Sequence, residues 1–206
     1  MNAIIPRYEY RIFGLEDIEE VISGLKQKGE FEKQRNIEEI YLMTAGNTDN
    51  NIKIRNKNLD IKVLVEQADG LEQWKPYNVG LFPLNKNHLK HQVFPALGVE
   101  SPYFDREVYK LEQFIKELVL DDPDILVALT EKIRYGYFFN DCICEIAEVK
   151  INGALLKSVA VESENPEKVI EAIGLLGMDS FENVNYPKII KRVLGLDINY
   201  DINKFF

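Results

Sequence analysis

The sequence predicts an α+β fold, in which antiparallel strands with one charged face are flanked by amphipathic helices. Three observations predict it. First, in Asn51 to Val65 apolar and charged residues alternate at the strand period: Ile52 and Ile54 share one face, and Lys53, Arg55 and Lys57 the other. Beyond a polar turn at Lys57-Asn58, Ile61, Val63 and Val65 oppose Asp60, Lys62 and Glu66. Second, the same alternation recurs at Arg7, Glu9 and Arg11, and again at Lys132 and Arg134. One such strand is an ordinary sheet with a wet face. Three that converge make a cationic groove or barrel lumen suited to a polyanion. Third, between the strands lie segments with apolar residues at helical spacing.

The chain has 206 residues and 46% hydrophobic content, enough for one domain with a full core. We expect a single domain over residues 1–206, with a helical insertion at about 66–125. The net charge of -9 argues against nonspecific nucleic-acid binding. The bases concentrate in the expected strands and the acids in the expected helices, an arrangement that admits a small anion into a positive interior. No apolar run approaches membrane-spanning length, and the N-terminus lacks a charged-then-apolar signal layout, so a cytoplasmic protein is expected. Cys142 and Cys144 share one strand face and are expected to be small buried residues rather than a disulfide or a metal site.

In chain order, Pro6 to Phe13 reads as the first strand, ended by Gly14. Leu15 to Lys28 reads as a helix with Leu15, Ile18, Val21, Ile22 and Leu25 on one face, acids first and lysines last, stopped by Gly29. Ile37 to Thr44 is the second strand, and the basic hairpin follows the turn residues 46–50. Residues 66–104 carry seven glycines and prolines and give no clear element; Trp74 is expected to pack. His88 and His91 would share a helix face, solvated in the absence of a third ligand. Asp105 to Leu120 reads as a helix broken by Asp121-Asp122-Pro123. Residues 125–139 and 141–151 pair through a turn at Asn140-Asp141, and Asn152-Gly153 turns into Leu155 to Ser163. Helices are expected at Pro166 to Leu176 and Tyr186 to Leu194, with the tail Asp201 to Phe206 loose or weakly docked.

Four stretches in this order resemble the CYTH superfamily, whose members include class IV adenylyl cyclases, thiamine triphosphatases and inorganic triphosphatases. Arg7-Tyr8-Glu9-Tyr10-Arg11 is similar to its opening Glu-x-Glu-x-Lys strand. Lys53-Ile54-Arg55 with Lys62 resembles its early basic strands. Lys132-Ile133-Arg134 with Cys144-Glu145-Ile146-Ala147 resembles its basic pair and following acidic strand. Leu156 to Glu164, then Asn185-Tyr186-Pro187, resembles its late Glu-x-Glu strand and closing helix. The resemblance implies an antiparallel tunnel lined by bases and acids. It implies phosphate contacts from Arg7, Arg11, Lys53, Arg55, Lys62, Lys132 and Arg134. It also implies Mg2+ or Mn2+ held by Glu9, Glu145 and Glu162, which would be the catalytic carboxylates. Arg7 and Ala160 stand where the family has glutamates, and Ala147 where it often has an acid; these changes weaken a divalent site.

Two functional readings follow, beside that of a plain solvated sheet. One is a triphosphate-tunnel hydrolase that acts on tripolyphosphate, a nucleoside triphosphate or thiamine triphosphate. The other is a module that keeps the tunnel and binds a phosphate-rich anion without turnover. Glu148 is expected opposite Glu145, Lys157 at an exposed edge, Glu164 near a helix start, and Lys188, Lys191 and Arg192 on the wet side of the last helix. Tyr8 and Tyr10 are expected against the flanking helices.

Overall fold

A computed structural model describes residues 5–196. The chain opens with β1 (Arg7–Gly14), α1 (Glu19–Lys28), β2 (Glu30–Met43), the hairpin β3 (Asn50–Arg55) and β4 (Asn58–Ala68), and β5 (Leu71–Leu81). A middle segment follows: β6 (Leu84–Asn85), α2 (Lys86–His88), α3 (Phe94–Leu97), β7 (Val108–Tyr109) and α4 (Leu111–Phe114). The last third is β8 (Leu126–Phe139), β9 (Cys142–Ile151), β10 (Ala154–Ser163), α5 (Pro166–Leu176) and α6 (Tyr186–Leu194). β1 pairs with both β10 and β5, which closes eight antiparallel strands in the order β1-β10-β9-β8-β2-β3-β4-β5. Four tight hairpin turns set the local registers, one of them Asp69-Gly70 between β4 and β5 (φ 52° and 77°). Asn56-Lys57, Asn140-Asp141 and Asn152-Gly153 all have positive φ, the backbone that matches strand twist.

The apolar strand faces point outward under helices. Val21, Ile22 and Leu25 of α1 and Val169, Ala172 and Ile173 of α5 share a core with Tyr10, Ile12, Cys144, Ile146, Val159 and Val161. The middle segment lays Leu89, Val93, Phe94, Leu97, Phe114 and Leu118 against Leu42, Ile52, Ile54, Leu59 and Ile61. Alternation then forces the charged faces inward. Arg11, Glu39 and Lys132 are only 3–4% exposed, which excludes an ordinary solvated face. α6 packs differently from the other helices. It places Tyr186 and Ile190 against Tyr41, Met43, Ala147 and Val149, whose positions alternate with the outward ones, so it fills one end of the ring.

Several boundaries differ from the expectation. β2 begins at Glu30, because its first half is a polar, exposed extension paired with β8 and carries no apolar period. α1 begins at Glu19, after Ile18 at the N-cap position with no side-chain cap bond, and Leu15 is half exposed. The turn after β3 is Asn56-Lys57. Residues 66–81 are not part of a helical insertion: they complete β4 and form β5, a ring strand in which Pro76 sits opposite Lys62, beyond the stretch 72–74 that pairs with β1. The expected helix at Asp105 to Leu120 starts at Leu111. It continues through a wide i→i+5 segment, Ile115–Val119, that displaces its stripe. The tail Asp201 to Phe206 lies outside the described residues. Among those described, no helix is long and apolar enough to cross a membrane.

Cys142 and Cys144 are both free and buried, and burial pushes their thiols up to about 11 and about 12. We predict no reaction with a thiol reagent at pH 7.5 in the folded protein and two equivalents after denaturation. Rapid native labelling would contradict this packing.

Candidate functional site

The lumen encloses a cavity of about 370 Å³. It is lined by Glu9 and Arg11 from β1, Arg35 from β2, Asn51, Lys53 and Arg55 from β3, and Asp60 and Lys62 from β4. Trp74 of β5, Lys132 and Arg134 of β8, Glu162 of β10 and Tyr186 of α6 are also in its lining. Most of the strand residues reach the lumen because the residue beside them carries the outward apolar contact, as Ile54 does between Lys53 and Arg55.

Beneath the cavity lies a buried network built on Glu39. Its Oε2 accepts from Lys132 Nζ at 2.6 Å and its Oε1 is 2.9 Å from Lys53 Nζ, with Arg55 Nη1 at 3.7 Å. Tyr41 donates to Glu39 at 3.1 Å and accepts from Lys132 at 2.8 Å. Burial pushes the Glu39 carboxyl up, but Lys132 and Lys53 outweigh it and hold the group far below the usual carboxylate range. Glu39 was not anticipated from the sequence. Its signal was parity: it shares a strand face with Tyr41, two residues on.

A second network holds the guanidiniums. Arg11 donates from Nε to Glu9 at 2.8 Å, and from Nη1 to Glu145 and to the Ser158 hydroxyl, both at 3.1 Å. The other Glu145 oxygen accepts from Arg134. Glu145 is thus clamped by two arginines, one at each oxygen, whose positive charge opposes a cation there.

Glu9 and Glu162 stand directly opposite each other across β1 and β10. Burial raises both carboxyls. At Glu9, Arg11 and Lys62 reverse this and lower it to about 2; at Glu162 the negative charge of Glu9 adds to burial and the group stays raised. The lumen therefore brings two of the three expected carboxylates face to face and gives the third to arginines. Among the described residues no group of three or more such donors assembles. Two facing carboxylates suit Mg2+ when ligand phosphate oxygens complete its shell.

Arg7 does not line the cavity. Its side chain is 47% exposed at the rim, with Nη1 3.9 Å from Glu162. Lys157 pairs with Glu19 of α1 on the outer surface, and Glu148 accepts from Tyr135 there, on the face away from Glu145. Glu164 is exposed just before Asn165, which caps α5. Lys188 and Arg192 pair with Glu182, and Lys191 donates to the Ala45 carbonyl. His88 and His91 are exposed on the middle segment. Trp74 is buried and donates to Glu72 at 3.1 Å. Tyr10 packs under the helices and donates to the Phe181 carbonyl at 2.5 Å, while Tyr8 donates to Glu66. Arg35 was missed because the strand half that carries it was not expected.

A closed antiparallel ring with a lumen of bases and acids, buttressed outside by helices, is a CYTH-like tunnel fold. The chain is similar to HpAC1 of Hippeastrum, a proposed adenylyl cyclase described as having a dominant triphosphatase activity. The two share 15% identity at a TM-score of 0.52, over 93% of this chain and 99% of that one. A conserved hypothetical protein of Pyrococcus furiosus aligns with 18% identity and a TM-score of 0.49, over 89% of this chain and 99% of its own. PH1012 of Pyrococcus horikoshii aligns with 16% identity and a TM-score of 0.48, over 91% and 99%. No family model matches the chain, and no curated protein matches it. The likeness is one of fold.

Proposed function

We propose that the lumen binds an inorganic or organic triphosphate together with Mg2+ or Mn2+, and hydrolyses a phosphoanhydride bond in it. One observation carries this reading: seven basic side chains line the cavity against three acidic ones, and every base is held on a strand of one closed ring. The triphosphatase activity described for HpAC1 supports the same ligand class.

Arg35, Arg55, Lys62 and Arg134 present charge to phosphate oxygens, the arginines in bidentate geometry. Lys53 and Lys132 are fixed by Glu39, and Arg11 by Glu9 and Glu145, so little side-chain freedom is lost on binding. Glu9 and Glu162 would hold the cation, which supplies polarisation of a phosphoryl oxygen. Glu145, expected as a third ligand and catalytic group, acts instead as a positioning residue for Arg11 and Arg134.

A second reading is binding without turnover. The Glu145 clamp and the approach of Arg7 to Glu162 favour it, since both withdraw carboxylate from a cation. Phosphate release from tripolyphosphate and ATP, with Mg2+, Mn2+ or EDTA, separates the two. Metal-dependent release supports hydrolysis; binding with no release leaves the second reading.

Arg55→Ala is expected to weaken tripolyphosphate binding about 10-fold, the worth of one charge-assisted hydrogen bond. Lys157→Ala is expected to leave it unchanged. Equal losses from both, measured by calorimetric titration, would sink the lumen assignment.

A further inference from the structure

β2 has an open edge. β3 pairs with it only at Ile40, Tyr41 and Leu42, and turns away after Arg55 into β4. Over residues 30–38, β2 is held on one side by β8 and, among the described residues, has no strand on the other. Alternate backbone N–H and C=O groups there point outward without a partner. Residues 30–36 are all exposed, and pairing with β8 keeps the edge extended apart from one bulge between Phe31 and Lys33. Such an edge accepts a further strand through main-chain hydrogen bonds, and the side chains on its two faces select which strand.

The two faces differ in charge. Lys33 and Arg35 stand on the lumen side. Lys33 lies opposite Gly136, which offers no side chain, and Arg35 lies directly opposite Arg134, a like charge that costs stability. Among the described residues neither Lys33 nor Arg35 has an ion pair. On the outer side Gln34 and Asn36 carry no charge, and Glu38 stands opposite Glu131. An incoming strand is matched when acids two residues apart fall on the lumen side and its other face is neutral. A second copy of the chain is a poor match. Strands paired about a two-fold axis set like faces side by side, so Lys33 and Arg35 would meet the same bases of the other copy.

We propose that the edge of β2 at residues 30–38 binds an extended acidic segment of a partner protein as an added strand, with carboxylates two residues apart against Lys33 and Arg35. The added strand continues the wall of the ring where β3 leaves it. The contact is made at the mouth and does not depend on what the cavity holds.

Fluorescence anisotropy of the labelled peptide Thr-Glu-Val-Glu-Val-Glu-Thr, titrated with the full chain, tests this beside the same peptide with lysine for glutamate. The acidic peptide is expected to bind, and the lysine peptide at least about 10-fold more weakly, because two cross-strand charge pairs change sign. Amide hydrogen exchange at residues 30–38 is expected to slow in the acidic complex. Lys33→Glu changes an exposed side chain outside the cavity lining. It is expected to melt as wild type does and to bind the acidic peptide about 10-fold more weakly. No binding of the acidic peptide, equal binding of the two peptides, or wild-type affinity in Lys33→Glu overturns the proposal. So does binding that leaves exchange at 30–38 unchanged; displacement by tripolyphosphate would then place the peptide in the lumen.

Discussion

Glu39→Ala is expected to lose about 3–5 kcal/mol of folding stability, the largest effect of any single substitution in the lumen. Among the described residues Glu39 is the carboxylate bonded to Lys132, and its other oxygen faces Lys53 and Arg55. Without it, the two buried ammonium groups lose their counter-charge, while Arg55 keeps Asp60 Oδ2 at 4.0 Å. Burial already draws the Lys132 and Lys53 ammoniums below their usual range, with Glu39 opposing that shift. The vacated site would release their protons more readily still. Denaturant unfolding of wild type, Glu39→Ala and Glu39→Gln measures the loss. Glu39→Gln keeps an acceptor for Lys132 and the Tyr41 hydroxyl and is expected to fall between the other two. A Glu39→Ala protein as stable as wild type would show that the network is solvated.

Glu9→Gln is expected to lower Mg2+ affinity of the phosphate-bound protein by at least about 100-fold, the upper end of what changes one shell further out cost. The same variant should abolish metal-dependent phosphate release. It keeps an oxygen for Arg11 Nε, so the fold is expected to survive. Glu162→Gln should act alike, since the two carboxylates face each other in register. Glu145→Gln should instead weaken phosphate binding in the presence of EDTA, through Arg11 and Arg134. Loss of metal dependence in Glu145→Gln with none in Glu9→Gln would reverse the assignment of roles.

What the sequence disclosed followed from period. β1, β3, β4 and β8 alternate apolar and charged residues, and closure buries the apolar set under helices and the charged set in the lumen. Arg11, Lys53, Lys62, Lys132 and Arg134 were legible for that reason. Glu30 to Asn36 was not, because both its faces are polar and nothing marks it as a strand. β5 was hidden by Pro76 and Gly80, which argue against a central strand; Gly80 lies beside a register shift at Val79, and Pro76 lies beyond the residues that pair with β1. Glu39 lies in Ile-Glu-Glu-Ile-Tyr, where two adjacent acids look like turn or surface chemistry. Its interior position exists only because β8 brings Lys132 and β3 brings Lys53. Tyr186 reads as the apolar start of a helix; what makes it a lumen residue is the docking of α6 into the ring. The reassignment of Glu145 likewise depends on two arginines from different strands.

The account turns on the lumen being an anion site, and one measurement addresses that directly: the melting temperature of the wild-type chain with increasing tripolyphosphate, at constant ionic strength. At 100 times its dissociation constant a ligand stabilises by about 2.7 kcal/mol, which raises the melting temperature of a chain this size by roughly 5–10 °C. The account predicts a rise of that order, saturable and smaller in Arg55→Ala. No rise at millimolar tripolyphosphate, or the same rise from sulfate at equal ionic strength, would contradict it.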